Sequence, residues 1–171
     1  ELVYNGGFQS DQYDGLGKLY DAESELLIYD GGFSAVKYQG VGTLTDLETK
    51  NLLYSGEFYQ GIYSGQGKLY DPRTKMQIYD GAFLNGIYNG QGTQWDSEGN
   101  LIYVGYFISG EYFGSGILYE ASTGIVLQSG QFKDGRLVTQ SEDVDVLYGI
   151  IICTIVDEEG EPIKDVEVNL S

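Results

Sequence analysis

Histidine is absent from this 171-residue chain, and cysteine occurs once, at Cys153. A disulfide within the chain, a His or Cys metal cage and a Ser-His or Cys-His catalytic pair are thereby excluded. Proline occurs twice against 26 glycines, and Lys and Arg number 9 against 26 Asp and Glu. The resulting formal charge of −17 repels phosphate backbones and anionic headgroups, which argues against nucleic acid as a partner. Long apolar runs are missing too. The longest, VLYGIIICTIV at 146–156, would reach only about 17 Å as a helix, short of the roughly 30 Å hydrocarbon core, and reads as a strand. No basic start, apolar stretch and small-residue cleavage site follow one another near residue 1, so no signal peptide is visible. The opening ELVYNGGF has no methionine and already lies inside a recurring pattern, as expected of a fragment cut from a longer protein.

What the chain has is a repeat. YNGGF at residue 4 returns as YDGGF at 29, YSGEF at 54, YDGAF at 79, YVGYF at 103 and, weakened, QSGQF at 128, in steps of 25, 25, 25, 24 and 25 residues. Between these lies a second block: YDGLGKLYD from Tyr13, YQGVGTLTD from Tyr38, YSGQGKLYD from Tyr63, YNGQGTQWD from Tyr88 and YFGSGILYE from Tyr112. Taken alone, GQGKLYD at 65–71 reads as a phosphate cradle, with glycine amides and a lysine. A nucleotide site needs one such loop between a strand and a helix. Five copies, with Thr43, Thr93 and Ile117 standing where Lys68 stands, mean architecture.

Each repeat holds two runs with period-two alternation, the signature of strands. Tyr29, Gly31 and Phe33 share one face of the first, and Tyr38, Gly40, Gly42 and Leu44 share one face of the second. The joints DAESE, DLETK, DPRTK, DSEGN and EASTG all lead with an acid, which at the first position of a turn accepts nearby backbone N–H groups. Asp21, Asp46, Asp71, Asp96 and Glu120 are therefore expected to make turns, and the shorter DSEGN joint accounts for the 24-residue step. Glycine within a strand costs about 0.5–1 kcal/mol relative to alanine, so ten of them need an offset. The expected offset is space: bare backbone lets tyrosine and phenylalanine rings lie flat over it and lets the sheet bend toward that face. The aromatic face is accordingly expected to be concave or strongly twisted. On the opposite face Val3, Ile28, Leu53, Ile78, Ile102 and Leu127 form an aliphatic ladder, joined by Tyr20, Tyr70, Trp95 and Tyr119.

The alternation of Y-x-G-x-F with G-x-G-x-L at 23–25 residues resembles the MORN repeat, named for membrane occupation and recognition nexus, over residues 4 to about 138. The resemblance implies an all-β fold: an elongated single-layer antiparallel sheet of stacked β-hairpins, here about five and a half repeats in a domain at 1–139. It also implies either protein scaffolding, with a partner peptide in an aromatic-lined groove, or association with a phospholipid surface; enzymatic activity is not expected, because the recurrent acids sit in exposed turns where nothing raises a pKa. Residues 1–139 carry 17 acids and 8 bases, with no basic cluster to meet anionic headgroups. That balance favours a protein or peptide partner, basic or amphipathic.

Residues 140–171 break the period and are expected to form a β-hairpin cap or the start of a truncated β domain. GIIICTIVDEEGEPIKDVEV there resembles the first hairpin of a carboxypeptidase-regulatory-like β-sandwich, which would imply an extracytoplasmic protein. The expected partner-binding residues are the tyrosine row Tyr38, Tyr63 and Tyr88 on the glycine-rich face, or Tyr70, Trp95 and Tyr119 on the other. Carbohydrate stacking on such rows is an alternative. The acid groups DVD and DEE lack the spacing of a calcium loop, and no cofactor, metal or catalytic residue is expected. The first strand, Leu2 to Phe8, is an edge through which copies of the chain could pair.

Overall fold

A computed structural model of the chain describes residues 2–138. The expected hairpin at 140–171, its sandwich resemblance and Cys153 lie outside the described residues.

Every described element is a strand. They are β1 (Leu2–Gln9), β2 (Gln12–Asp21), β3 (Leu27–Ser34), β4 (Lys37–Thr45), β5 (Leu52–Tyr59), β6 (Ile62–Tyr70), β7 (Gln77–Leu84), β8 (Ile87–Trp95), β9 (Leu101–Ile108), β10 (Glu111–Tyr119), β11 (Val126–Lys133) and β12 (Arg136–Leu137). They form one antiparallel sheet in sequence order, so every neighbour in space is a neighbour in the chain and each sequence repeat is one hairpin. Two-residue tips close the hairpins. At Gln60–Gly61, Asn85–Gly86 and Ser109–Gly110 both residues have positive φ, the geometry whose twist matches that of paired strands. Each tip is tied to the hairpin before it: the Gly61 N–H donates to the Tyr38 carbonyl at 2.9 Å, and Gly86 and Gly110 repeat the bond to Tyr63 and Tyr88.

The register explains the glycines. Gly6, Gly17, Gly31, Gly42, Gly56, Gly67, Gly81, Gly92, Gly105, Gly116 and Gly130 are successive cross-strand partners, forming one row across β1 to β11. Over this row lie the tyrosines that open each first strand. A Cβ added at Gly67 would meet the Tyr54 ring, at 2.5 Å from Cζ, and one added at Gly42 would meet Tyr29 likewise. The close approach requires glycine, as the sequence led us to expect. A Cβ at Gly56 would instead strike backbone, 2.6 Å from the Gln66 carbonyl oxygen.

The other glycine of each G-x-G differs from expectation. Gly40 does not sit under a ring on the Tyr38 face; its φ is +69° and nothing surrounds its Cβ position. It belongs to a bulge, where the register jumps between the Gly31–Gly42 and Phe33–Tyr38 pairs. In that left-handed conformation glycine is the favoured residue, so half of the supposed ten-glycine cost is absent. The aliphatic ladder also takes an unexpected form. Leu53, Ile78, Ile102 and Leu127 are each the extra residue of a second bulge, as between the Leu69–Tyr79 and Tyr70–Gln77 pairs.

Candidate functional site

The aromatic face is built from one motif used repeatedly. Tyr54 stacks on Tyr63 of the partner strand, with centroids 3.8 Å apart and planes 7° off parallel. Phe58 meets both rings edge-on, at 5.0 and 5.5 Å. The stack then receives the edge of Phe83 from the next hairpin, and the same set recurs around Tyr29, Tyr79 and Tyr103. Tyr29, Tyr54, Tyr79 and Tyr103 are fully buried, which asks each hydroxyl for a partner. They donate to carbonyls three residues on, Tyr54 to Glu57 at 3.0 Å and Tyr79 to Ala82 at 3.0 Å. This is why tyrosine, and not phenylalanine, opens the motif. Burial pushes the pKa of Tyr29, Tyr54 and Tyr79 far above that of a free phenol.

Tyr38, Tyr63 and Tyr88, expected from the sequence to carry binding, lie one layer further out. Each is half-buried, packed on the core by one ring face, and burial raises its pKa. Their hydroxyls have no hydrogen-bond partner among the described residues, whereas Tyr112 donates to Gln94 at 3.0 Å. Between successive tyrosines lies a buried phenylalanine. The hollow bounded by Tyr13 and Tyr38 has Phe33 and Leu19 in its lining, with Val36 and Lys37 among its other residues. The ring order Tyr38, Phe58, Tyr63, Phe83, Tyr88, Phe107, Tyr112 continues at centroid separations of 5.5–5.9 Å. The structure thus brings this tyrosine row together with a phenylalanine row that was not among the expected binding residues.

Tyr70, Trp95 and Tyr119 are placed apart from that row. Each ends the second strand of its hairpin and is half-buried. Tyr70 shares a shallow hollow with Leu53, Ile78, Pro72 and Arg73.

The turn acids take up the geometry the joints implied. Asp46 Oδ1 accepts from the Thr49 N–H at 2.8 Å and from its hydroxyl at 2.7 Å. Asp21 does the same with Ser24. Four joints close with an N–H to carbonyl bond five residues on, but Asp96 bonds to Asn100, four residues on, which is the missing residue of the 24-residue step. These hydrogen bonds hold the carboxyls of Asp21, Asp46, Asp96 and Glu120 below the ordinary carboxylate range. In the GQGKLYD loop, Glu57 Oε1 accepts the Gln66 N–H at 2.9 Å and Lys68 pairs with Asp80 at 3.2 Å. The chain's own carboxylates thus occupy the donors that a phosphate would need.

Against known proteins, the family model described as MORN repeat matches residues 4–23, 54–73 and 79–101. The matches fall on the first, third and fourth hairpins, and the second hairpin, between them, shares their register and ring packing. No curated protein matches the chain. MORN repeats are generally associated with protein or membrane interactions. The MORN-repeat pattern is thus found at three places in the chain, within a sheet whose hairpins all follow one plan.

Proposed function

We propose that the chain is a non-enzymatic module that holds a protein or peptide segment along its aromatic face. The observation that carries this reading is the hollow bounded by Tyr13 and Tyr38 and lined by Phe33, together with the row of half-buried tyrosines and buried phenylalanines that continues from it. Such a row is apolar in its floor and polar at its rim, where Tyr38, Tyr63 and Tyr88 present hydroxyl groups. Interfaces favour aromatic residues of this kind because they bury much area while keeping a polar handle. The excess of acid over base supports a protein partner over an anionic lipid surface. The non-enzymatic part rests on the recurrent acids. Hydrogen bonds within their own turns favour the ionised form of Asp21, Asp46, Asp96 and Glu120, the opposite of what a general acid needs near neutral pH.

The test is a displayed random-peptide selection on the folded chain, with liposome flotation and a glycan array alongside. Enriched peptides that shift the ring resonances of Tyr38, Tyr63 and Tyr88 support the reading. Failure to enrich any peptide overturns it, whether or not vesicles or glycans are retained.

A further inference from the structure

We propose that the outer side of β1 pairs with β1 of a second copy of the chain, antiparallel about a two-fold axis at Gly6, so that two sheets become one. The pairing is independent of what the aromatic face binds.

The backbone of β1 offers the hydrogen bonds. The Asp21 N–H donates to the Leu26 carbonyl, on the β3 side of β2. Alternate residues of a strand turn the same way, so Leu19 and Gly17 also direct their N–H and C=O groups to β3. Their cross-strand partners on β1, Tyr4 and Gly6, therefore turn theirs away from β2, and Phe8 follows at the same parity. An added Gly6 Cβ would lie only 2.5 Å from Gly17 Cα, the close approach of a pair that exchanges no hydrogen bonds. Among the described residues no strand lies on the outer side of β1, so these donors and acceptors form an open edge.

The side chains of β1 select a second copy of the same strand. Phe8 is 62% exposed and Val3 51%, where the equivalent Phe33 and Ile28 of the next hairpin are buried. Edge strands are ordinarily guarded by charge or proline, but LVYNGGFQ has neither. Asn5 stands where β3 and β7 carry Asp30 and Asp80. On a chain of charge −17, such a strand lets a second copy approach with no like charge directly opposite. With Gly6 on the axis, Tyr4 falls opposite Phe8 of the second copy, and about six N–H···O bonds cross between the strands. The glycine row then runs unbroken from one sheet into the other. Each Phe8 gains a tyrosine from outside its own hairpin, as Phe33 has Tyr4. The last hairpin offers no such match, because Gln128 and Leu137 stand there in place of the stacked tyrosines. The contact is therefore isologous and closes at two copies.

The experiment is sedimentation of the 171-residue chain over a range of concentrations at low and moderate salt, with amide exchange followed by NMR. We expect a monomer–dimer equilibrium with a dissociation constant of about 10–100 μM, as suits an interface below about 1,200 Å², tightening with salt because both copies are acidic. The amides of Tyr4, Gly6 and Phe8 should gain protection as concentration rises, and that of Asn5, turned toward β2, should not. Asn5→Asp sets two carboxylates diagonally across the axis and should raise the dissociation constant about threefold or more. Within one copy the new carboxylate faces Lys18, so thermal unfolding of the dilute variant should be no lower than that of the wild type, which separates lost pairing from lost folding. A chain that stays monomeric to millimolar concentration, a dimer that leaves those three amides unprotected, an Asn5→Asp variant that associates as well as the wild type, or assemblies that grow beyond two copies would each overturn the proposal.

Discussion

The interior hairpins and those at the two ends of the described array share one sequence plan but not one environment. Phe58 is 2% exposed and Phe8 62% exposed, although both follow Y-x-G-x. The interior ring is packed by four tyrosines, two from its own hairpin and two from the hairpin before it: Phe58 meets Tyr54 and Tyr63, and also Tyr29 and Tyr38. Among the described residues Phe8 has only Tyr4 and Tyr13. At the other end Phe132 is buried because Tyr103 and Tyr112 precede it. Its own strand carries Gln128 where tyrosine stands elsewhere, and Val126 and Leu127 are exposed. Burial in this sheet is therefore lent forward from one hairpin to the next. A repeat's stability depends on its neighbours more than on its own residues, as in other linear arrays.

The largest expected contrast lies in those phenylalanines. Phe58→Ala should destabilise the chain by about 3–5 kcal/mol in denaturant unfolding, and Phe8→Ala by under ~1 kcal/mol. Equal losses would erase the distinction between interior and end.

Next comes the glycine row. Gly56→Ala, which drives a methyl into strand backbone, should destabilise by about 2–3 kcal/mol. Gln128→Tyr should work in the other direction, restoring the missing stack at the last hairpin and adding about 1 kcal/mol. A destabilised Gln128→Tyr chain would show that the last hairpin departs from the plan in more than that residue.

A smaller effect is expected at the Ala35–Val36 tip. Val36 has φ +71°, where the corresponding residue of the next four tips is Gly61, Gly86, Gly110 or Gly135. Left-handed backbone at a β-branched residue is strained by about 1–2 kcal/mol, so Val36→Gly should raise the unfolding midpoint.

The pH dependence gives the gentlest contrast. Lowered carboxyl pKa values at Asp21, Asp46, Asp96 and Glu120 mean that their stabilisation is present above the pKa of the unfolded chain, near 4, and is lost as pH falls through the folded values. Raised phenol values at Tyr29, Tyr54 and Tyr79 act in the opposite sense. Their contribution is full below about pH 10 and is lost as pH rises toward the folded values. Thermal unfolding from pH 2 to 11 should give a plateau that falls at both ends, with the interior tyrosines ionising only as the sheet opens.

Much of this was legible before any coordinates, because the fold is local. A 25-residue period, a turn acid and a tyrosine two residues from a glycine are all read within a single repeat, and strand order follows chain order. The ring over the glycine was legible for the same reason. The bulges were not: Gly40 and Gly42 look alike in sequence, yet one is a kink with φ +69° and the other lies under Tyr29. Period-two counting cannot register an extra residue that the partner strand does not match. The hollow was also hidden, since it arises between Tyr13 of one hairpin and Tyr38 of the next. Whether Tyr38 lines a groove or only covers a core depends on how far apart two repeats stand.

The central structural claim is that the tyrosine ring keeps the second-strand glycine bare. The most direct test is a double-mutant cycle on Tyr54 and Gly67, whose added Cβ would meet Tyr54 atoms first. In the wild-type background Gly67→Ala should destabilise by about 1–3 kcal/mol. In a Tyr54→Ala background the same substitution should become neutral or stabilise by about 0.5–1 kcal/mol, as alanine does in an unobstructed strand. An unchanged penalty in both backgrounds would contradict the account.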